Sequence, residues 1–346
     1  MLKSIVTETQ NIFNQRDLIH LAKQTVWSIR ALFGADKGIV GIKAEDGVYY
    51  TFDFSGRFSM TATDETGRLL AEPGNPLVYQ GKLLDIRQKY VNMWIGEEKD
   101  FVGFVNFDRP EDMGETTGKR YHDCPPEEAL ELIYETLRIA FINTKLNNDL
   151  IKGQEDTILS FATVCEGRSG NARNHIKRVS EYVRIMTRTL GYSREEADDF
   201  ALSAMLHDIG KMSIPEEIID KPDKLTDEEY NMMKSHVLAA EDYIVDSDSA
   251  IMENARRIAR EHHERWDGTG YLGMKEDEIN ELAAVTAIAD VFDVLVSRRS
   301  YKESWTLEEA YNEIVSQDGK QFSPKAIQAF KQSYDDIVEI LAVYKD

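Results

Sequence analysis

The stretch ALSAMLHDIGK, residues 201–211, is an apolar, helix-forming run that ends in a histidine followed directly by an aspartate. His207 and Asp208 place an imidazole next to a carboxylate, and we expect Gly210 to let the chain turn away from the helix. Imidazole and carboxylate are ligands that Fe, Mn, Zn, Co and Ni accept. The stretch therefore predicts a helix whose end carries metal ligands.

Further residues of the same two types lie on both sides of this stretch at similar intervals. They are His175 upstream and His236, His262, His263 and Asp290 downstream. Intervals of 26 to 32 residues separate successive members, which is about the length of a helix, a loop and part of the next helix. The side chains would then converge from successive helices into the core of an all-α domain. Seven ligands are too many for one ion, so the series predicts a cluster of at least two metal ions.

A division of these ligands into two sites follows from the chemistry of a carboxylate, whose two oxygens can bridge two ions. Asp208 could join a site made of His175, His207 and Asp290 to a site made of His236, His262 and His263. Asp290 interrupts a strongly apolar segment, where a carboxylate without a partner would be costly. Two neighbouring ions stabilise both the attacking and the leaving oxygen of a phosphoryl displacement. The ligand series therefore favours phosphoryl chemistry.

Composition limits the class of protein. A chain of 346 residues is long for one hydrophobic core, so two domains are expected. A net charge of −21 excludes a broad basic surface for a nucleic-acid polymer. Cys124 and Cys165 are too few for a disulfide framework or a thiolate metal site, which fits a reducing cytoplasm. The N-terminus lacks the apolar region of a signal peptide. Asp290 and Asp293 interrupt the most apolar stretch of the chain. We therefore expect a cytoplasmic protein without membrane insertion.

The first part of the chain mixes helical and strand patterns. Residues 17–33 show helical periodicity. Four short segments then read as strands: GIVGIKA (38–44), GVYYTFDF (47–54), RFSMTAT (57–63) and DFVGFVNFD (100–108). These patterns predict an α+β domain over residues 1–145.

A long helical pattern follows at about residues 126–160 and predicts a connecting helix, with Gly153 as a possible break. Its apolar stripe fits a dimer seam and ordinary packing equally well, so a homodimer stays open. Residues 146–346 read as almost entirely helical. Ser193, Thr226 and Thr306, each with a glutamate three residues later, mark helix starts.

Several long motifs, in order, closely resemble the HD-GYP family of metal-dependent phosphohydrolases. They are HDIGK (207–211), HHERWDGTGYL (262–272) with His236 between them, IPEEIIDKPDKLTDEE (214–229), ADVFDVLVS (289–297) and RRSYK (298–302). The resemblance covers about residues 155–346. It implies a helical domain of the HD superfamily that hydrolyses cyclic di-GMP to linear pGpG or GMP, or cleaves a hybrid cyclic dinucleotide.

The resemblance also implies roles for individual residues. It makes the seven residues of the series the ligands of two divalent ions, with Fe or Mn favoured and Zn, Co or Ni also suitable. Asp208 and Lys211 would be catalytic, with the Lys211 ammonium at the scissile phosphate. Tyr271 would help to hold substrate, and Arg299 and Lys302 would bind the phosphates of the dinucleotide.

Three positions depart from the family pattern. The namesake Gly-Tyr-Pro ends in Leu272, so we expect a loop less restricted than one with proline. Ser300 stands where the basic motif usually has proline. Some members have a glutamate four residues before the first histidine that supports a third metal, and this position is Asn171 here. We therefore predict a dinuclear site.

The N-terminal region resembles a GAF sensory module, on the basis of FVGFVNFD, a charged loop and a closing amphipathic helix. The resemblance implies a small ligand or signal for this domain, and it identifies neither. The whole chain is thus predicted to be a sensory domain, a connecting helix and a cyclic di-GMP phosphodiesterase. Two alternatives stay open for the HD-GYP domain: a catalytically weak sensor or interaction module, and a phosphodiesterase for another cyclic dinucleotide. A di-iron oxygenase with the same ligand set is a third, although the basic residues count against it.

Overall fold

The computed structural model describes residues 18–43, 48–55, 57–62, 84–86, 90–97, 100–108, 126–166, 172–221, 223–297 and 305–345. The chain forms two compact units, Met1–Lys152 and Gly153–Asp346. No helix of the described residues is both long and apolar enough to cross a membrane.

The N-terminal unit contains a helix and a six-stranded sheet. The elements are α1 (Leu18–Phe33), β1 (Gly38–Lys43), β2 (Val48–Asp53), β3 (Phe58–Ala62), β4 (Leu84–Ile86), β5 (Tyr90–Glu97) and β6 (Asp100–Asp108). The strand order is β3-β2-β1-β6-β5-β4, and every pair is antiparallel. The apolar face of α1 shares one core with the sheet, so the predicted combination of helix and strands is confirmed. β4 and β5 were not predicted.

A single helix, α2 (Pro126–Cys165), is 40 residues long and contributes to a core at each end. Leu130, Ile133 and Leu137 belong to the core of the N-terminal unit, whereas Ile158 and Ala162 belong to a core of the second unit. Gly153 was expected as a possible break, but the helix continues through it. The intrahelical hydrogen bonds on both sides outweigh the modest helix penalty of one glycine.

The C-terminal unit is all-helical, as predicted. Its further α-helices are α3 (Ala172–Thr189), α4 (Arg194–Ala204), α5 (Glu216–Ile219), α6 (Asp227–Lys234), α7 (His236–Ala239), α8 (Ala250–Glu261), α9 (Glu281–Val296), α10 (Leu307–Ser316), α11 (Pro324–Gln332) and α12 (Tyr334–Val343). Capping boxes open α4, α6 and α10 at the three predicted positions. The buried face of α9 packs against α3, α8, α10 and α11. These contacts hold the helices that carry the predicted ligands.

Candidate metal centre

The structure brings the predicted metal ligands together in two neighbouring groups. In the first group, ligand atoms of His175 and His207 lie within 4.8 Å of each other and of a carboxylate oxygen of Glu166. In the second group, ligand atoms of Asp208, His236, His262 and His263 lie within 4.8 Å of one another. Asp290 completes the predicted set, because its Oδ1 lies 3.5 Å from His175 Nε2. All seven residues therefore surround one region of the C-terminal unit.

Asp208 lies between the two groups and directs one oxygen at each. Its Oδ1 is 3.4 Å from His236 Nε2 and 3.6 Å from His262 Nε2. Its Oδ2 is 3.3 Å from His207 Nε2. Asp208 follows the end of α4, in the turn before a short 3₁₀ helix at Ile209–Ser213. This is the arrangement that a carboxylate bridging two ions requires.

Four of these ligand atoms are buried and have no hydrogen-bond partner among the described residues, which tests whether the site fits metal ions. They are His207 Nε2, Asp208 Oδ1, His236 Nε2 and His262 Nε2. In each of these histidines the other ring nitrogen faces a backbone carbonyl, at 2.9 Å for His207, 2.7 Å for His236 and 3.1 Å for His262. If Nδ1–H donates to that carbonyl, Nε2 keeps its lone pair for an ion. Since buried polar atoms normally have partners, the residues present fit divalent ions well.

His175 is oriented differently, by a side chain from far along the sequence. Its Nδ1 lies 2.8 Å from Oδ2 of Asp293, a fully buried carboxylate on α9. Arg178 donates to the same carboxylate through Nε at 2.6 Å and Nη2 at 2.9 Å. Asp293 thus fixes the His175 ring while Arg178 neutralises the buried charge. Sequence reasoning noted Asp293 as an interruption of an apolar stretch and assigned it no role.

Glu166 is a second residue that the sequence reasoning missed. It lies directly after α2, and its Oε1 is 3.3 Å from Lys211 Nζ. The Lys211 ammonium also donates to Oδ2 of Asp208. The only sequence signal was an acidic residue at the end of a long helix, nine positions before His175. Glu166 therefore adds a carboxylate to the first group.

The pKa values of the imidazoles shift in opposite directions in the two groups. Burial would lower the pKa of His207, but the Asp208 carboxylate raises it to about 10. Burial would also lower the pKa of His175, but the hydrogen bond to Asp293 raises it above its ordinary value. In the second group, burial lowers the pKa of His236 to about 4 and that of His263 well below its usual range. Carboxylates therefore favour the charged imidazole in the first group, whereas burial favours the neutral imidazole in the second.

Gly210, in the HDIGK motif, is required for close packing rather than for a turn. A Cβ at this position would lie 1.9 Å from the backbone oxygen of His236. Its φ is not in the left-handed region that favours glycine. The expectation that Gly210 turns the chain was therefore wrong. The absent side chain lets the Ile209–Ser213 helix press against α7, which carries His236.

Comparison with known proteins agrees with this geometry. Residues 161–326 match the family described as HD domain. The C-terminal unit contains an HD domain.

Several named relatives match the chain over part of its length. A 3'3'-cGAMP-specific phosphodiesterase 2 of Vibrio cholerae is 35% identical over 218 residues, covering 63% of this chain and 42% of the relative. A cyclic di-GMP phosphodiesterase of Thermotoga maritima is 40% identical over 182 residues, covering 52% of this chain and 50% of the relative. The cyclic di-GMP phosphodiesterase response regulator RpfG of Xanthomonas campestris is 36% identical over 183 residues, covering 53% of this chain and 48% of the relative. The predicted resemblance to HD-GYP phosphodiesterases is confirmed, and the chain spans about half the length, or less, of these relatives.

The loop after the paired histidines of the HD domain is held by Glu264, which is 4% exposed. Its carboxylate accepts hydrogen bonds from the backbone N–H of Leu272 at 2.6 Å and of Met274 at 2.8 Å. Gly270 allows the loop to pass close to Glu264, because a Cβ there would lie 2.6 Å from its Cα. Leucine had been expected to leave this loop less restricted than proline. Instead, Leu272 supplies an N–H that proline lacks, and this N–H anchors the loop.

The loop places Tyr271 beside the second ligand group of the HD domain. Its ring centroid is 4.6 Å from that of His263 and 6.3 Å from that of His236. Burial and the neighbouring Tyr230 raise the pKa of Tyr271 to about 12, which keeps its hydroxyl a neutral donor. The other residues expected to bind substrate, Arg299 and Lys302, lie outside the described residues, as do Asn171 and Ser300.

Proposed function

We propose that the HD domain is a cyclic di-GMP phosphodiesterase that hydrolyses a 3′–5′ phosphodiester at a dinuclear metal site. The product would be pGpG, and GMP if the second bond is also cleaved. The observation that carries the proposal is the position of Asp208, with one oxygen toward each ligand group and unpartnered imidazole nitrogens around it. The residues that would hold the ions are His175, His207, Asp208, His236, His262, His263 and Asp290, and Glu166 joins the first group.

Bound divalent ions would supply Lewis acidity for the phosphoryl group and for the attacking water. Lys211 supplies a fixed positive charge beside them. Burial alone would lower its pKa, but the carboxylates of Asp208 and Glu166 raise it above the ordinary value, so the ammonium stays protonated. An ammonium at this place can neutralise charge that develops on the phosphate as the 3′ oxygen leaves. Tyr271, Arg299 and Lys302 would hold the remainder of the dinucleotide.

The test is hydrolysis of cyclic di-GMP by protein reconstituted anaerobically with Fe(II) or Mn(II). A double variant, His207→Ala with Asp208→Ala, is the control. We expect turnover in the wild type and none in the control, with two ions per wild-type chain by elemental analysis. Tight binding of cyclic di-GMP without turnover by fully metallated wild type would contradict the enzyme proposal and favour a sensor module.

A second candidate substrate is 3'3'-cGAMP. The relative that covers the largest share of this chain among those compared above is named a 3'3'-cGAMP-specific phosphodiesterase. The same reconstituted protein should therefore be assayed with both cyclic dinucleotides in parallel. A kcat/KM for 3'3'-cGAMP well above that for cyclic di-GMP would reassign the substrate and leave the reaction type intact.

The proposal also divides the chain into a GAF-like sensory domain over residues 1–145 and an HD-GYP domain over residues 146–346. It includes a cytoplasmic location and Fe or Mn as the bound metal. A small ligand of the first domain and a homodimer stay predictions. Exposed apolar side chains on α2, among them Leu146 and Leu150, support a dimer seam. Sedimentation of the wild type and of a Leu150→Glu variant would test it: a dimer that the variant loses is expected.

A further inference from the structure

A cation and two tyrosine rings form a patch next to the second ligand group, and the function proposed above leaves two of its residues unused. Tyr230 and Lys234 are four residues apart on α6, so they lie on one face of that helix. Lys234 Nζ is 4.6 Å from the Tyr230 ring centroid and 5.4 Å from the Tyr271 ring centroid. The two tyrosine rings meet edge to face at 6.3 Å.

The patch is continuous with the candidate metal centre. Lys234 ends α6, and His236 begins α7 two residues later. Tyr271 is in contact with Lys234 on one side and lies 4.6 Å from the His263 ring, between centroids, on another. A substrate that reaches both ligand groups with a phosphate therefore has its neighbouring atoms near this patch. Tyr230 is 43% exposed, so part of its side chain is accessible to a ligand beside Lys234.

The surroundings of Lys234 are unusual for a chain with a net charge of −21. Within the part of the chain that the structure describes, no carboxylate forms an ion pair with Lys234, and its ammonium lies over two rings instead. By contrast, Lys221, on the segment before the same helix, is paired with Glu229. An ammonium against aromatic faces keeps its three N–H donors for a ligand that presents acceptors.

We propose that Tyr230, Lys234 and Tyr271 form a subsite for one guanine base of the cyclic dinucleotide. The base stacks on the tyrosine surface, and Lys234 donates to its O6 and N7 acceptors. Adenine presents N7 with an amino group in place of O6, so it offers this cation one acceptor fewer. Stacking on an aromatic ring accepts any base. Lys234 thus selects guanine, whereas Tyr230 supplies affinity without selecting. The inference rests on the proposed cyclic dinucleotide substrate.

The test compares the metal-loaded wild type with Lys234→Met, which keeps the stem of the side chain and removes its donors. Hydrolysis of cyclic di-GMP and of cyclic di-AMP is followed by chromatography to give KM and kcat/KM. Where a dinucleotide stays intact, its affinity is measured by equilibrium dialysis. We expect the affinity for cyclic di-GMP to fall about tenfold, which is within the range for loss of one specific base contact. Affinity for cyclic di-AMP should fall by a clearly smaller factor, because adenine offers Lys234 only N7. An equal loss for both dinucleotides, or no loss for either, overturns the guanine assignment.

Two further variants separate selection from stacking. Tyr230→Leu should weaken both dinucleotides by similar factors, and Tyr230→Phe, which keeps an aromatic ring, should weaken both by less. Unchanged binding by Tyr230→Leu overturns the stacking role. Lys331→Met is the matched control, because Lys331 also lies in the last turn of a helix, α11. Metal content and unfolding temperature are checked for every variant. A wild type that binds both dinucleotides and hydrolyses neither contradicts the phosphodiesterase proposal alone, since the affinity ratio still tests the subsite.

Discussion

The two ligand groups are built from the same side chains but held in place by different means. In the second group, His236 and His262 are oriented by backbone carbonyls three or four residues earlier in the chain. In the first group, His175 is oriented by Asp293, which is 118 residues away. The second group therefore depends on local helix geometry, as does His207 of the first group. The orientation of His175 depends instead on tertiary packing of α3 against α9.

The two groups also differ in charge. Glu166, Asp290 and Asp293 lie around the imidazoles of the first group, and the Lys211 ammonium pairs with Glu166 and Asp208. Around His236 and His263, burial dominates and favours the neutral imidazole. Ligands at similar intervals in the sequence therefore differ in their surroundings: carboxylates raise imidazole pKa values in the first group, whereas burial lowers them in the second. We expect the second group to tolerate changes elsewhere in the domain better than the first.

Asp208→Ala is expected to have the largest effect, because Asp208 is common to both groups. The variant should bind neither ion firmly and should lose turnover to the detection limit. Elemental analysis after dialysis measures the metal, and the Asp246→Ala variant, at an aspartate whose side chain is 97% exposed, is the matched control. Full occupancy by two ions in Asp208→Ala would show that each group holds its ion alone.

Asp293→Asn should affect the first group selectively. The amide removes the charge that orients His175, and changes of this kind typically cost about 10- to 100-fold in metal affinity. It also leaves the buried guanidinium of Arg178 with a neutral partner, so the unfolding temperature should fall as well.

Metal titration of Asp293→Asn should show one weakened site and one unchanged site. Ser297→Ala is its control, because Ser297 donates to the same carboxylate at 3.1 Å without touching His175. Equal weakening of both sites in Asp293→Asn would contradict the distinction between the groups.

Glu166→Gln should have a smaller effect on the same group. The amide keeps the shape and removes the charge near His175, His207 and Lys211, so we expect metal affinity of the first site to fall by roughly tenfold. Glu155→Gln, at a glutamate of α2 that belongs to neither ligand group, is the control. Unchanged metal binding with slower turnover would mean that Glu166 positions Lys211 and does not bind an ion.

Leu272→Pro is expected to have the smallest effect and concerns the loop beside the second group. It restores the family motif but removes the N–H that Leu272 donates to Glu264. An unsatisfied buried acceptor costs about 1–3 kcal/mol, and proline recovers about 0.4–1 kcal/mol by restricting the unfolded chain. We therefore expect a net loss of roughly 1 kcal/mol in the free energy of unfolding. Leu272→Ala, which keeps the N–H, is the control, and a more stable Leu272→Pro would refute this account.

The helical domain and the convergence of its ligands could be predicted from the sequence, because histidines and aspartates at helix-length intervals are recognisable as metal ligands. The sequence was insufficient for Glu166, Asp293 and Glu264. Each is an acidic residue among many, and the partner of each is decided by packing between segments distant in sequence. β5 was missed for a related reason: Trp94 is buried along with Val91, Met93 and Ile95, which hides the alternation typical of a strand.

The middle of α2 is the part of this helix that has the least packing around it. None of residues 145–157 is buried, although the helix is anchored in a core at each end. That segment is held as a helix by its own backbone hydrogen bonds and by surface contacts, which are weak when nothing packs against them. Its amides should exchange with solvent well before those near Leu137 or Leu159. In the monomer, a protease given limited time would cut within this segment, whereas a dimer packed through Leu146 and Leu150 would protect it.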